Sequence, residues 1–152
     1  MIKPGQVAAA IGVGLAAGLA GTAAMTASST IEMKLRGRSG SSTPVQAAKK
    51  VLGVQPEGEK EQKRFGTLVH WGYGTGWGAA RGVLAALGLP APAATAAHLV
   101  TVWGSEQVML PALGVTPPVT QWGAKEIAID AWHHLVYAGA TGAAYELLDL
   151  TR

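Results

Sequence analysis

The sequence predicts an all-α integral membrane protein, a bundle of about four transmembrane helices with a short amphipathic surface helix in its first loop. Only 14% of its 152 residues are charged, against about a quarter in a typical soluble domain. These charges are concentrated in a basic hydrophilic loop at 34–64, between long apolar stretches. Most of the 21 glycines lie within the apolar stretches. Glycine weakens a soluble helix, whereas membrane helices use small residues to pack closely.

The first span is predicted at residues 6–28, which contain no charged side chain over more than twenty residues. A bilayer core about 30 Å thick needs about 20 helical residues. The alternative is a cleaved signal peptide, since Lys3 gives the chain a short basic start. The length of the apolar run and the lack of an A-x-A cleavage site favour a transmembrane helix.

Within the hydrophilic loop, the segment TPVQAAKKVLG at 43–53 predicts a short helix. Thr43 is a suitable N-cap, Pro44 suits the first helical position and Gly53 suits the stop. One face of this helix is apolar and is flanked by Lys49 and Lys50, which indicates a helix lying on the membrane surface. The apolar positions are Val45, Ala48, Val51 and Leu52. The following residues, 55–64, are predicted to be a solvated linker.

Three further spans are predicted at 66–87, 93–111 and 124–148, within a single membrane domain. A Gly- and Pro-containing turn at 88–92 separates the second span from the third, and Pro117 and Pro118 prevent a continuous helix between the third and the fourth. These short connections predict antiparallel neighbours.

The distribution of Lys and Arg predicts the orientation of the bundle. Eight of these residues lie in loop 34–64 and Lys125 brings that side to nine, whereas the other side has two, Lys3 and Arg152. The positive-inside rule therefore predicts a cytoplasmic loop and both termini outside. The same basic residues explain the net charge of +3 without nucleic acid as a partner. The absence of cysteine excludes disulfides, thiolate metal sites and cysteine nucleophiles.

Ionisable residues inside a membrane are costly and need an explanation. Their three- and four-residue spacing predicts interior-facing stripes on the last three spans. With a rise of about 1.5 Å per residue, an inner polar layer falls roughly 3–11 Å from the midplane on the cytoplasmic side, and an outer polar layer falls about 6–8 Å toward the other side. The inner layer is His70, Glu106, Asp130 and His134, and the outer layer is Arg81, His98 and Thr141.

The inner layer has three interpretations. Imidazole and carboxylate groups from facing helices form bundle metal centres, and Asp130-x-x-His133 resembles half of such a motif. The candidate ligands of a divalent metal are His70, Glu106, Asp130, His133 and His134. The same layer suits a proton or ion path, or a structural network in which carboxylates and imidazoles satisfy one another.

The remaining features favour structural roles. Arg81 could bind an anion or a lipid headgroup, but an ion pair with Glu106 or snorkelling to the outer interface is favoured. The stretch HWGYGTGWG at 70–78 lacks the ending of a phosphate-binding loop. Its glycines are instead predicted to admit a neighbouring helix, as are those of the first span. The predicted packing glycines are Gly14, Gly18, Gly21, Gly74 and Gly78.

The segments LGVTPPV at 113–119 and WGAKEIAIDAWHHLVYAGATGAAYELL at 122–148 resemble the YagU-type family of small bacterial inner-membrane proteins. The stretches at 70–78 and 38–48 add to this similarity, which covers about half of the chain. The resemblance implies a multi-pass protein of the bacterial inner (cytoplasmic) membrane. It implies no catalytic residues.

The leading functional hypothesis is a small membrane binding or interaction protein, an accessory subunit or a binder of lipid or another apolar ligand. It predicts a Trp-lined lateral groove, contact with the lipid bilayer, and a homo-oligomer or a larger membrane complex. The alternatives are a proton or small-ion transporter using the inner layer, and a membrane metalloprotein. The sequence has no GxSxG, HExxH, P-loop or dinucleotide fingerprint, so an enzyme of a familiar soluble type is not expected.

Overall fold

The structure is a computed structural model that describes residues 3–149. The described chain has five α-helices, one short 3-10 turn at Val119–Gln121 and no strand, which confirms the all-α class. Arg152, which entered the predicted charge asymmetry, lies outside the described residues. The helices are α1 (Pro4–Arg36), α2 (Thr43–Leu52), α3 (Gly58–Ala86), α4 (Ala91–Ala112) and α5 (Ala124–Asp149).

The four long helices form an up-and-down bundle in which α1 packs most extensively against α3 and α5. Gly14 of α1 lies beside Gly82 of α3, and Gly18 lies beside Thr75, so the two helices run antiparallel. Helix α4 packs against α3 and α5, and α2 packs against α3. Both ends of the described chain therefore lie on one side of the bundle, and the 34–64 loop lies on the other.

Two helices are longer than the predicted spans. Helix α1 continues to Arg36, and α3 begins at Gly58, so the last seven residues of the expected 55–64 linker are helical. The acidic side chains of Glu59 and Glu61 favour a helix start there, because they interact with the positive end of the helix dipole. A Glu59–Lys63 ion pair of 2.7 Å also joins adjacent turns.

The structure has the short helix α2 where the sequence predicted it, although Ser42 rather than Thr43 occupies the N-cap. The helix ends at Gly53, whose φ of 65° is the left-handed conformation that glycine adopts without strain. Val51 and Leu52 remain exposed. The Lys50 ammonium donates hydrogen bonds to the carbonyl oxygens of Leu113, at 2.5 Å, and Gly114, at 3.2 Å. These bonds hold α2 at the C-terminal end of α4.

Among the described helices, α1 is the one that is long and apolar enough to cross a membrane. The expected spans at 66–87, 93–111 and 124–148 do not reach the same hydropathy, since His, Gly, Trp and acidic residues interrupt their apolar runs. A four-span arrangement is therefore a proposal, and it depends on packing rather than on hydropathy.

The interior of the bundle contains small and polar residues, whereas large apolar residues cover its outside. The largest fully buried side chains are Arg81, Tyr145, His98, Thr22 and Thr141. Many Leu and Val side chains are exposed on every long helix, among them Leu19, Leu68, Val100, Val108 and Leu135. Soluble domains show the opposite distribution, in which Leu and Val are buried and Arg is exposed.

Glycines bring the backbones of α1 and α3 into direct contact. A Cβ atom built on Gly18 would lie 2.7 Å from the carbonyl oxygen of Thr75 and 2.8 Å from the Cα atom of Gly78. Gly14 faces the same turn of α3. Gly21 instead faces Tyr137 and Thr141 of α5, and Gly74 faces the Thr22 side chain.

We expect Gly18→Ala to lower the free energy of unfolding by about 2 kcal/mol, because the new methyl group would clash with backbone atoms that cannot rotate away. SDS-induced unfolding in detergent micelles, followed by circular dichroism, measures this change. Gly12→Ala is the matched control, since nothing lies within 4 Å of its Cβ position. The control should be neutral or up to about 1 kcal/mol stabilising. Equal stability changes in the two variants would contradict the close packing.

Candidate functional site

Three of the four residues of the predicted inner polar layer lie together between α4 and α5. One donor atom each from Glu106, Asp130 and His134 lies within 4.8 Å of the other two. His134 Nε2 is 2.6 Å from Glu106 Oε2, and His134 Nδ1 is 3.7 Å from Asp130 Oδ1. The imidazole is buried, while the two carboxylates are about one quarter exposed. These three residues are called the inner cluster below.

Helix geometry explains how the inner cluster forms. Asp130 and His134 are four residues apart on α5 and therefore lie on one face. Glu106 faces them from α4, where Trp103 lies one turn before it and Gln107 directly follows it. The Trp103 indole N–H donates a hydrogen bond of 2.7 Å to Asp130 Oδ2, and the Gln107 amide approaches the same oxygen at 3.5 Å. These contacts hold Oδ2 of Asp130 in place, and the other carboxylate oxygen, Oδ1, is on the side of His134.

His70 and His133, the other predicted metal ligands, lie away from the inner cluster. His70 Nε2 contacts the Thr26 hydroxyl of α1 at 2.7 Å. His133 Nδ1 contacts the Ser28 hydroxyl at 2.9 Å, and its Nε2 lies 3.8 Å from Glu32 Oε2. Both histidines of the adjacent pair are buried, because α5 lies between α1 and α4 and each imidazole faces a different neighbour.

The contact between Ser28 and His133 shows which part of α5 is level with the end of the predicted first span. Ser28 is the last residue of the predicted first span, and His133 is level with it. On α5, Asp130 lies three positions before His133 and His134 one position after it, so the inner cluster lies near the level of that end of the predicted span.

The residues of the predicted outer polar layer are buried. Arg81 Nη2 pairs with Glu146 Oε1 at 2.5 Å, rather than with Glu106, and the guanidinium lies 4.4 Å above the Tyr145 ring. His98 Nε2 lies 3.0 Å from the carbonyl oxygen of Trp77. Thr141 packs against Gly21 of α1. The three residues therefore join α3, α4, α5 and α1.

Sequence reasoning missed an ion cluster at the C-terminal end of α1, formed by Glu32, Arg36 and Arg38 and called the α1 ion cluster below. Glu32 Oε1 accepts bonds from Arg36 Nη1 at 2.9 Å and from Arg38 Nε at 3.0 Å, and its other oxygen pairs with Arg38 Nη2. The Arg38 hydrogen bond is the main reason that the pKa of Glu32 is lowered to about 2. The four-residue spacing of Glu32 and Arg36 was the available signal.

Beside the α1 ion cluster, α1 and α5 form an apolar groove of about 680 Å³. Ile31 and Leu35 of α1 face Ile129, Trp132 and Val136 of α5 across it. Glu32 and Arg36 also line the groove. We call this feature the α1–α5 groove.

No protein-family model, curated protein or solved structure matches the chain. The resemblance to the YagU-type family therefore stays a prediction.

The lowered pKa of Glu32 predicts how stability depends on pH. A carboxylate whose pKa falls on folding adds stability above its unfolded pKa, near 4.5, and loses that contribution as the pH falls to about 2. The free energy of unfolding of the wild type should therefore exceed that of Glu32→Gln at pH 6, and this difference should vanish by about pH 2. Chemical unfolding in micelles across this pH range measures it.

The Arg38→Gln background provides the control for this experiment. Because Arg38 is the main cause of the lowered pKa, the effect of Glu32→Gln in that background should vary much less between pH 6 and pH 2. A Glu32 contribution that is independent of pH in the wild type would contradict the ion pairing.

Proposed function

We propose that this protein is a small multi-pass protein of the bacterial inner membrane that binds an anionic phospholipid in the α1–α5 groove. The observation that carries the proposal is the composition of this groove, which has apolar walls and a cationic end. The proposal combines the leading hypothesis from the sequence, a membrane binder of lipid, with a defined place on the structure.

The distribution of side chains supports a membrane location. Arg81 and His98 are fully buried, whereas Leu68, Val100 and Val108 are about 70% exposed. Exposing such side chains to water costs roughly 1.5–3 kcal/mol each relative to burial, and lipid removes that cost. Arg81 Nη2 pairs with Glu146 and His98 Nε2 contacts the carbonyl oxygen of Trp77, both on neighbouring helices, which is how polar groups inside a bilayer bundle find partners.

The exposed apolar end of α2 supports the same arrangement. Val51, Leu52 and Val54 are exposed at the side of the bundle where loop 34–64 lies, and Lys49 and Lys50 are beside them. Apolar side chains flanked by lysines are typical of a helix in the headgroup region of an anionic membrane surface. This arrangement supports the proposal that loop 34–64 lies on the cytoplasmic side, which the positive-inside rule predicts.

The walls of the α1–α5 groove suit the upper part of a phospholipid acyl chain. Ile31, Leu35 and Trp132 are all more than half exposed although they are large and apolar. The groove is level with Ser28, where the predicted first span ends. Trp is enriched at this depth because its ring is mainly apolar and its N–H is polar.

The charges at the end of the groove suit a phosphate group. Residues 32–38 contain Glu32 and three basic residues, Lys34, Arg36 and Arg38, so three positive charges less one negative charge leave a net charge of +2. The Arg36 and Arg38 side chains are each about one third exposed. Their planar guanidinium groups can bind phosphate oxygens in pairs. Glu32 pairs with both groups, and the residues at this end of α1 keep a net positive charge.

Transport of protons or ions receives less support from the geometry. Such a path needs polar contacts from the inner cluster to the outer polar layer. Within residues 3–149, no hydrogen bond joins Glu106, Asp130 or His134 to Arg81 or His98. The lipid-binding proposal requires no such continuity.

The proposed topology predicts a specific labelling pattern. Because the chain has no cysteine, Ser41→Cys and Leu87→Cys each provide a single thiol, in the 34–64 loop and at the α3–α4 turn. A membrane-impermeant maleimide should label Leu87→Cys in intact bacterial cells and should label Ser41→Cys only after the cells are opened. The reverse pattern would contradict the orientation. Release of the protein from membranes by alkaline carbonate would contradict the membrane proposal itself.

The lipid proposal predicts selective binding by the α1–α5 groove. Native mass spectrometry in detergent can compare phosphatidylglycerol with phosphatidylcholine carrying the same acyl chains. We expect the wild type to prefer phosphatidylglycerol. Arg36→Gln/Arg38→Gln should weaken phosphatidylglycerol binding by roughly 30-fold, because each basic side chain near an anionic lipid contributes about 1 kcal/mol.

Two further variants distinguish the groove from general attraction by positive charge. Lys60→Gln/Arg64→Gln removes the same charge from the start of α3 and should change the affinity less than threefold. Trp132→Ala should weaken the binding of both lipids, because it removes part of the apolar wall of the groove. Equal affinity of the wild type for the two lipids, or an equal loss in the two double variants, would contradict headgroup recognition at the α1 ion cluster.

A further inference from the structure

The inner cluster places an imidazole nitrogen of His134 directly against a carboxylate oxygen of Glu106. His134 Nδ1 lies 2.9 Å from the backbone carbonyl oxygen of Asp130. A carbonyl oxygen can only accept, so Nδ1 carries a proton and donates it. In the neutral imidazole the lone pair is therefore on Nε2, and this atom faces Glu106 Oε2 at 2.6 Å. Two acceptors at this distance repel each other unless a cation or a proton lies between them.

We propose that the inner cluster is a binding site for a divalent first-row transition metal, with His134 Nε2, Glu106 and Asp130 as its ligands. This inference is independent of the lipid-binding proposal, since the α1–α5 groove lies on another face of α5. It assigns the cation required between Nε2 and Oε2 to a metal ion rather than to a shared proton.

The ligand set indicates the class of metal. One imidazole and two carboxylates suit Zn²⁺, Mn²⁺ or Fe²⁺, whereas Mg²⁺ and Ca²⁺ prefer oxygen ligands alone. Three protein ligands leave the fourth position of a tetrahedral site for water or another ligand. Glu106 and Asp130 are partly exposed, so such a ligand can reach the metal. This open arrangement is typical of zinc sites that carry out chemistry rather than of purely structural ones.

The distances require only small side-chain movements. With metal–ligand bonds of about 2.0–2.1 Å, tetrahedral ligand atoms are about 3.3 Å apart. One possible ligand atom from each of the three residues already lies within 4.8 Å of the other two. The Glu106–His134 pair at 2.6 Å would open by about 0.7 Å, and Asp130 would approach, while the helices stay in place.

The surroundings hold the ligands in suitable orientations. The backbone carbonyl of Asp130 fixes the ring orientation of His134, as carbonyls do for the distal nitrogen of metal-bound histidines. Trp103 Nε1 fixes one oxygen of Asp130 at 2.7 Å. Trp103 therefore acts as a positioning residue, because it holds a ligand and has no direct contact with the metal.

The test uses the full-length protein in detergent, stripped of metal with a chelator and titrated with Zn²⁺, with Mn²⁺ and Mg²⁺ compared in parallel. Calorimetry and elemental analysis after gel filtration measure affinity and stoichiometry. We expect about one Zn²⁺ per chain and at least tenfold weaker binding of Mg²⁺. Asp130→Asn, which keeps an acceptor for Trp103, should weaken Zn²⁺ binding at least 100-fold. Trp103→Phe should weaken it about tenfold, in the range observed for groups that orient metal ligands.

Glu126→Gln is the matched control, since Glu126 is an exposed carboxylate at the start of the same helix. It should leave the affinity for Zn²⁺ unchanged, and circular dichroism verifies that each variant is helical. Failure of the folded wild type to take up stoichiometric Zn²⁺ or Mn²⁺ would overturn the proposal and assign the cation to a proton shared by Glu106 and His134. Uptake that is equal in the wild type, Asp130→Asn and Trp103→Phe would overturn it as well.

Discussion

The structure depends on the direct backbone contact between α1 and α3. Gly14 and Gly18 meet Gly78 so closely that no side chain fits between the helices. A core formed in this way has little room for Leu or Val, and those residues therefore lie on the outside of the bundle. The apolar exterior, which supports a membrane location, is thus a consequence of the glycine-mediated packing. Van der Waals contact between close backbones can associate helices in lipid, where the hydrophobic effect does not drive them together.

The position of α5 determines how the polar residues are divided. Because α5 contacts both α1 and α4, consecutive residues on one turn face different surroundings. Trp132 faces the α1–α5 groove, His133 faces Ser28 and Glu32 of α1, and His134 faces Glu106 of α4. Successive helical residues point about 100° apart, which is sufficient to separate these three contacts. The candidate metal ligands His133 and His134 consequently lie in two separate groups rather than one.

Sequence patterns predicted the helices more accurately than their rotation in the bundle. Gly53 and the 88–92 turn indicated where helices end, because their backbone chemistry is local. Spacing along α5 correctly placed Asp130 and His134 on one face. The partners of His70 and Arg81 could not be predicted, because residue spacing shows which side chains share a face of one helix but not which neighbouring helix that face meets. The helical start of α3 was missed because its charged residues suggested a loop, although Glu59 and Lys63 stabilise a helix.

The depths of the charged groups favour the ends of the proposed membrane bundle over its middle. Glu32 and the inner cluster lie near the level of Ser28, and the Arg81 partner Glu146 is about half exposed at the opposite end. Between them, the α1 interface contains Gly18, Gly21 and Thr22, whose hydroxyl donates to the Gly18 carbonyl at 2.7 Å. A hydroxyl that is satisfied by its own helix needs no water, whereas an ionised group at the bilayer centre costs several kcal/mol. The fold thereby retains charged side chains suited to headgroups and cations at its ends, while the middle of the α1 interface remains uncharged.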